Sequence, residues 1–118
     1  VVLEIMFNLI QTANPAIQIY EFTPIVRYIT NPRSNWSDTY VSTGANLTGK
    51  KLPDIADFIE SVCQYYHVPC RNWYWDLGWN QFNFNEYFNS TDGTHPYKGM
   101  DYIGVKMYLY LKSQTSLE

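Results

Sequence analysis

Asp92 and His95 are the residues of this chain whose types and spacing could do chemistry. They lie in the segment STDGTHPYKGM, directly ahead of a stretch with helical apolar spacing. A histidine can take a proton from a nucleophilic hydroxyl and return it to a leaving group, while a carboxylate holds the imidazole in the required tautomer. Asp-Gly and Thr-x-Pro are also ordinary turn chemistry, so the motif alone fits either an acid–base pair or a turn.

The composition limits the classes of function that remain. The chain has 118 residues and a mass of 13.9 kDa, which fits at most one domain with a modest core. With 46% apolar and 18% aromatic residues, it has the composition of a folded domain. The net charge of -3 and the lack of a Lys/Arg cluster argue against a nucleic-acid partner. No apolar run reaches the length of a membrane span.

The cysteines and histidines are too few for a metal or disulfide framework. Two cysteines and two histidines, far apart in sequence, give little support to a zinc site, and we expect no metal and no cofactor. Cys63 is predicted late in a helix and Cys70 in the following strand. That placement argues against a disulfide, which needs Cα atoms within about 7 Å. We therefore expect two buried thiols. His67 has no acidic residue at the spacing that separates Asp92 from His95, and it is expected to have a structural role.

The pattern of apolar residues predicts alternating helices and strands. A first helix ends at Asn14-Pro15, because the residue before a proline leaves the helical region. A strand is expected over residues 17–22, a helix over LPDIADFIESVCQYY, a short strand in HVPCRNW and a last helix from near Pro96. The aromatic loop between the second strand and the last helix is expected mostly to form a satellite core. The apolar positions expected to share a helix face are Val2, Ile5, Met6, Leu9 and Ile10 in the first helix, Ile55, Phe58, Ile59, Val62 and Tyr65 in the second, and Met100, Ile103, Met107 and Leu111 in the last.

The α-β-α-β-α order predicts an α/β fold with a parallel sheet covered by helices. Two strands cannot complete such a sheet, and the first helix begins at residue 1 with no capping residue. We therefore expect residues 1–115 to be the C-terminal portion of a larger α/β domain. Residues 116–118 (SLE) are typical of a cloning remnant.

Three segments in order resemble the C-terminal half of the SGNH hydrolases, the GDSL esterase/lipase family. They are NPAIQIYEFTPIVR with its Thr23-Pro24 step, NLTGKKLPDIADFIESVCQYYHVPCRNW with a short HVPC strand, and DGTHPYKGMDYIG with Asp92, His95 and Pro96. The resemblance covers nearly all of residues 1–112. It implies a three-layer α/β/α, flavodoxin-like fold and a serine esterase or acylhydrolase in which His95 is the base and Asp92 orients it.

The nucleophile half of the family pattern is missing. The family carries its serine in a Gly-Asp-Ser-Leu block and completes the oxyanion hole with a glycine and an asparagine from blocks upstream of the first helix. Neither that block nor a G-x-S-x-G elbow occurs in this chain. The resemblance therefore implies that the chain alone is inactive. The alternative is a non-catalytic carbohydrate-binding or structural module, as in a phage-tail or envelope protein, that keeps the hydrolase-like architecture.

Two further residues are candidates for binding substrate. Ligands of open α/β sheets bind at the carboxyl ends of the strands, so Tyr28 and Trp36, in the loop after Thr23-Pro24, are expected to line the cleft beside His95. The expected substrate is a small-molecule or carbohydrate ester, O-acetylated carbohydrate among them. Exposed sheet edges of a partial fold could pair two chains into a homodimer. An extracellular or cell-envelope location fits either function.

Overall fold

A computed structural model describes residues 2–27, 51–80, 82–88, 93 and 95–114. The elements, in chain order, are α1 (Val2–Ala13), β1 (Glu21–Phe22), α2 (Leu52–Tyr65), β2 (Cys70–Arg71), α3 (Trp73–Asp76), α4 (Phe84–Tyr87) and α5 (Met100–Gln114). The described residues fall into two compact units: 2–26 with 51–79, and 27 with the described part of 80–114. Helices predominate in a mixed α/β structure.

The predicted parallel pairing is confirmed. β1 and β2 run parallel, with Glu21 opposite Cys70 and Phe22 opposite Arg71. Each strand is only two residues long, so the strand predicted over residues 17–22 is confirmed only at its end. Within the described residues, the sheet has these two strands and no third. A parallel α/β arrangement is therefore present, and the described residues do not form three complete layers.

The first two long helices form where the sequence predicts them. α1 ends at Ala13, just ahead of Asn14-Pro15, and Pro53 stands in the first turn of α2, where its missing N–H costs no hydrogen bond. The backbone N–H of Lys51 donates to the Asp54 carboxylate at 2.9 Å, which satisfies a donor at the α2 N-terminus. Local capping chemistry thus fixes where α2 begins.

The faces that these helices bury differ from the ones that periodicity indicates. In α1 the buried residue is Phe7, whereas Val2, Ile5, Met6 and Leu9 are exposed. In α2, Phe58 and Tyr65 are exposed on the predicted apolar face, and the buried residues are Leu52, Ala56, Val62 and Cys63. α1 is apolar around much of its circumference, and the apolar side of α2 is wider than the surface that it buries, so spacing alone does not select the packed face.

The core of the first unit lies where α1, α2 and β2 meet. Phe7, Val62, Cys63 and Val68 form its buried cluster, and Cys70 packs against them. Both thiols are free, and Cys70 returns to the cluster that contains Cys63 because α2 is followed by a tight turn in which the Val68 N–H donates to the Cys63 carbonyl at 2.8 Å. The expected burial holds for Cys63, whereas Cys70 is only partly buried.

The aromatic segment, predicted to be a loop, contains two short helices, α3 and α4. Most of its aromatic side chains are buried, and Trp75 and Phe82 are exposed. In the second unit, Phe84 stacks on Phe88 with ring centroids 5.6 Å apart. The buried members of the segment are Trp73, Tyr74, Trp79, Phe84 and Phe88.

The last helix begins later than predicted and buries none of its residues. α5 starts at Met100, because residues 97–99 form a turn after Pro96. On the predicted face, Met100 is exposed, and Ile103, Met107 and Leu111 are half-buried. The backbone N–H groups of Lys98 and Gly99 donate to the Tyr87 carbonyl, so regular helical hydrogen bonding begins only after this turn.

Candidate active site

His95 presents an exposed imidazole on a backbone that is held by hydrogen bonds. The Tyr97 N–H donates to the His95 carbonyl at 3.0 Å, and the Gly99 N–H donates to the Pro96 carbonyl at 2.8 Å. Pro96 and Gly99 are buried on either side of this turn. The main chain at His95 is thus fixed while its ring remains accessible to a reactant, as a general base requires.

The turn that carries His95 is anchored to α4 in the same unit. The backbone N–H groups of Lys98 and Gly99 both donate to the Tyr87 carbonyl, each at 3.1 Å. The His95 ring lies 5.9 Å from the Tyr97 ring, between centroids. Tyr87 also contacts Tyr102 of α5, with centroids 5.5 Å apart. These contacts join α4, the His95 turn and α5 into one continuous support.

The other predicted site residues cannot be positioned from the described part of the chain. Asp92, Tyr28 and Trp36 all lie outside the described residues. His95 belongs to the second unit, and the strand ends to which the cleft was assigned belong to the first. The pairing of Asp92 with His95 and the cleft residues Tyr28 and Trp36 therefore remain predictions.

A polar cluster with a buried centre, which sequence reasoning missed, joins the carboxyl ends of the two strands. Thr23 follows β1, Asn72 follows β2, and the Thr23 hydroxyl donates to the Asn72 Oδ1 at 3.1 Å. The Asn72 Nδ2 donates to Asp57 Oδ1 at 3.1 Å and to Glu60 Oε2 at 2.8 Å, on α2. The Trp75 indole N–H donates to the same Asp57 oxygen at 2.8 Å.

This cluster orders the strand ends rather than supplying a reactive group. Thr23 and Asn72 are only 3% and 4% exposed, and Asn72 uses its amide oxygen and nitrogen in hydrogen bonds within the fold. Such satisfied buried polar groups rigidify the backbone that contains them. The sequence signal was present in Asp57 and Glu60, a polar i,i+3 pair within an otherwise apolar part of α2.

The backbone at His67 agrees with the structural role expected of that residue. His67 lies in the turn between α2 and β2 with φ 55°, in the left-handed region. Its N–H donates to the Gln64 carbonyl at 3.2 Å. A pocket of 210 Å³ beside it is lined by Ile17, Ile19 and Val68 among others. It opens at the amino ends of the strands, whereas ligands of open α/β sheets bind at the carboxyl ends.

Glu21 of β1 is a partly buried carboxyl. Burial raises its pKa above the ordinary value of 4.5, and a hydrogen bond from the Phe22 backbone N–H opposes this change. Protonation is therefore easier in the folded chain than in the unfolded chain. Glu21 therefore contributes fully to the free energy of unfolding when the pH is below its pKa in the unfolded chain. This contribution is lost as the pH rises through its pKa in the folded chain.

We expect Glu21→Gln to stabilise the chain at neutral pH and to have little effect in acid. The amide cannot ionise, so the variant avoids burying a charge at about pH 7, and its melting temperature should rise by about 1–3 °C. At about pH 3.5 the Glu21 carboxyl and the amide of the variant are both neutral, so the difference in melting temperature between the two chains should vanish. Calorimetry at the two pH values measures this. Glu86→Gln, at an exposed carboxylate of α4, controls for the lost charge. An equal rise in the melting temperature of Glu21→Gln at both pH values would contradict the prediction.

Across the described ranges, no group of three or more His, Cys, Asp or Glu side chains could hold a metal ion. No helix in the described part of the chain is both long and apolar enough to cross a membrane. No protein-family model, curated protein or solved structure shows a match to the chain.

Proposed function

We propose that this chain is the C-terminal part of a serine esterase of the SGNH type, which hydrolyses carboxylic esters. The observation that carries the proposal is the exposed His95 imidazole on a hydrogen-bonded turn ahead of α5, with Asp92 three residues upstream in the sequence. O-acetylated carbohydrate is one substrate class that fits. The longer protein, here called the parent, would supply the serine and the oxyanion donors, which the chain lacks.

In the proposed reaction His95 moves protons between the nucleophile and the leaving group. It accepts the serine proton as the hydroxyl attacks the ester carbonyl, and it donates that proton to the departing alkoxide. A water molecule then attacks the acyl-enzyme with His95 again as base, releasing the acid. Asp92 would hold the imidazole tautomer and stabilise the imidazolium, while Tyr28 and Trp36 would line the ester-binding cleft.

The parallel β1–α2–β2 unit supports the fold that this proposal requires. Parallel strands joined by a helix are the repeating unit of three-layer α/β/α domains, whose sheets need helices on both faces. The Thr23–Asn72 hydrogen bond ties together the carboxyl ends of the two strands. In the parent we propose further strands beside this pair and a flavodoxin-like order of layers.

The test compares the parent with the 118-residue chain. The parent should hydrolyse p-nitrophenyl acetate and should be labelled covalently by a fluorophosphonate, which reacts with activated serines. The chain alone should do neither, because His95 has no nucleophile to activate. A parent that is inert toward acetyl and longer esters and toward the fluorophosphonate would overturn the proposal.

The alternative is a carbohydrate-binding module with the same architecture. Exposed aromatic side chains favour it, since Trp75 is 57% and Phe82 is 83% exposed, and aromatic faces stack on sugar rings. An inert parent that binds polysaccharide in a pull-down, and loses that binding on Trp75→Ala, would establish this alternative in place of the esterase.

A further inference from the structure

The two cysteines of the chain lie against each other in the core of the first unit. Cys63, in the last turns of α2, is fully buried, and Cys70, the first residue of β2, is partly buried. Cys70 packs against the buried cluster that contains Cys63, and both thiols are free. The chain contains no other cysteine, so neither has a competing partner within the molecule.

The backbone between them holds this contact in place. The Val68 N–H donates to the Cys63 carbonyl at 2.8 Å, and Cys70 is held in register opposite Glu21 of β1. The intervening turn reverses the chain through His67, whose φ of 55° is in the left-handed region. A helix end, a tight turn and a paired strand therefore place Cys70 against the cluster that contains Cys63.

We propose that Cys63 and Cys70 form a reversible intrachain disulfide, a redox-controlled link between α2 and β2. The oxidant would be a low-molecular-weight disulfide of the glutathione class. The sulfur of Cys70, the more accessible residue, attacks one sulfur of the oxidant and releases one thiol. The Cys63 sulfur then attacks the Cys70 sulfur of the mixed disulfide and releases a second thiol. Two protein thiols are oxidised, one disulfide is reduced, and both thiol protons pass to the released thiols.

The surroundings make this pair slow to oxidise. Burial, followed by the neighbouring Cys63, raises the pKa of Cys70 to about 12, and the Glu60 and Glu21 carboxylates add to the rise. Burial also raises the pKa of Cys63. Because the thiolate is the attacking species, the chain would stay reduced through brief exposure to an oxidant and form the link under sustained oxidation.

The test measures whether the folded structure favours the bond. The chain is equilibrated in glutathione buffers of graded redox poise, once in native buffer and once in concentrated urea. Remaining thiols are then alkylated with iodoacetamide. Mass spectrometry of the peptide covering residues 52–71 separates the doubly alkylated form from the form that has lost two hydrogen atoms. We expect the ratio of bridged to reduced chain to be about tenfold or more higher in the folded state than in urea at the same poise.

Two controls make each outcome decisive. Cys63→Ala and Cys70→Ala should take up at most one glutathione and show no internal bridge. The bridged chain should also melt about 5 °C or more above the reduced chain, because the link removes freedom from the unfolded state. A bridged fraction in native buffer no higher than in urea, or a bond that forms between chains instead, would overturn the proposal. None of these readouts depends on ester hydrolysis.

Discussion

In the parent proposed to be an esterase, His95→Ala is expected to lower kcat/KM for p-nitrophenyl acetate by at least about 10³-fold. The exposed imidazole is the proposed proton acceptor, and alanine leaves the serine hydroxyl protonated at neutral pH. Stability should be almost unchanged, because the His95 side chain is exposed and the turn is held by backbone hydrogen bonds that alanine retains. Initial rates under kcat/KM conditions, with melting temperatures beside them, provide the measurement.

The matched control is the other histidine of the chain. His67→Asn removes an imidazole from a turn of the first unit, and asparagine is among the residues that best tolerate its left-handed backbone. This variant should keep the activity of the parent within about twofold. If His95→Ala retained more than a tenth of the activity, or if both variants lost activity equally, His95 would not be the general base.

Phe7→Ala is expected to reduce the free energy of unfolding by about 3–5 kcal/mol. Phe7 is 2% exposed and packs against Val62, Cys63 and Val68, with its ring 6.1 Å from that of Tyr66. Truncation leaves a cavity between α1 and α2 as well as removing buried apolar surface. A domain of this size has a total stability of only about 5–15 kcal/mol, so the variant should be close to unfolding at ambient temperature.

Phe58→Ala is the matched control for Phe7→Ala. It makes the same chemical change on α2, at a side chain that is 57% exposed, and it should cost less than about 1 kcal/mol. Urea unfolding followed by circular dichroism gives both values. Equal losses would mean that Phe7 is not the residue that fixes α1 to α2, and the core as described would be wrong.

The sequence predicted the features that depend on a few neighbouring residues. α1 ends just ahead of Asn14-Pro15 and α2 begins with Pro53 and Asp54, because proline geometry and helix capping act within a single turn. The parallel β1–β2 pair followed from the alternation of elements. The start of α5 was wrong by one turn, since the bonds that hold the His95 turn reach back to Tyr87, a partner that local pattern does not reveal.

By itself, the sequence determined the chemical types available to a site: one Asp-x-x-His-Pro motif, two histidines, two cysteines and no recognisable nucleophile block. Tertiary structure decided which of these types meet. It brought Cys63 to Cys70 and joined Thr23, Asn72 and Asp57 into one hydrogen-bonded cluster. It also selected Phe7 from an apolar helix as the residue that is buried. The spacing of apolar residues indicates that a helix has apolar faces. Which of these faces is buried depends on the surface against which the helix packs, because the hydrophobic effect is non-directional.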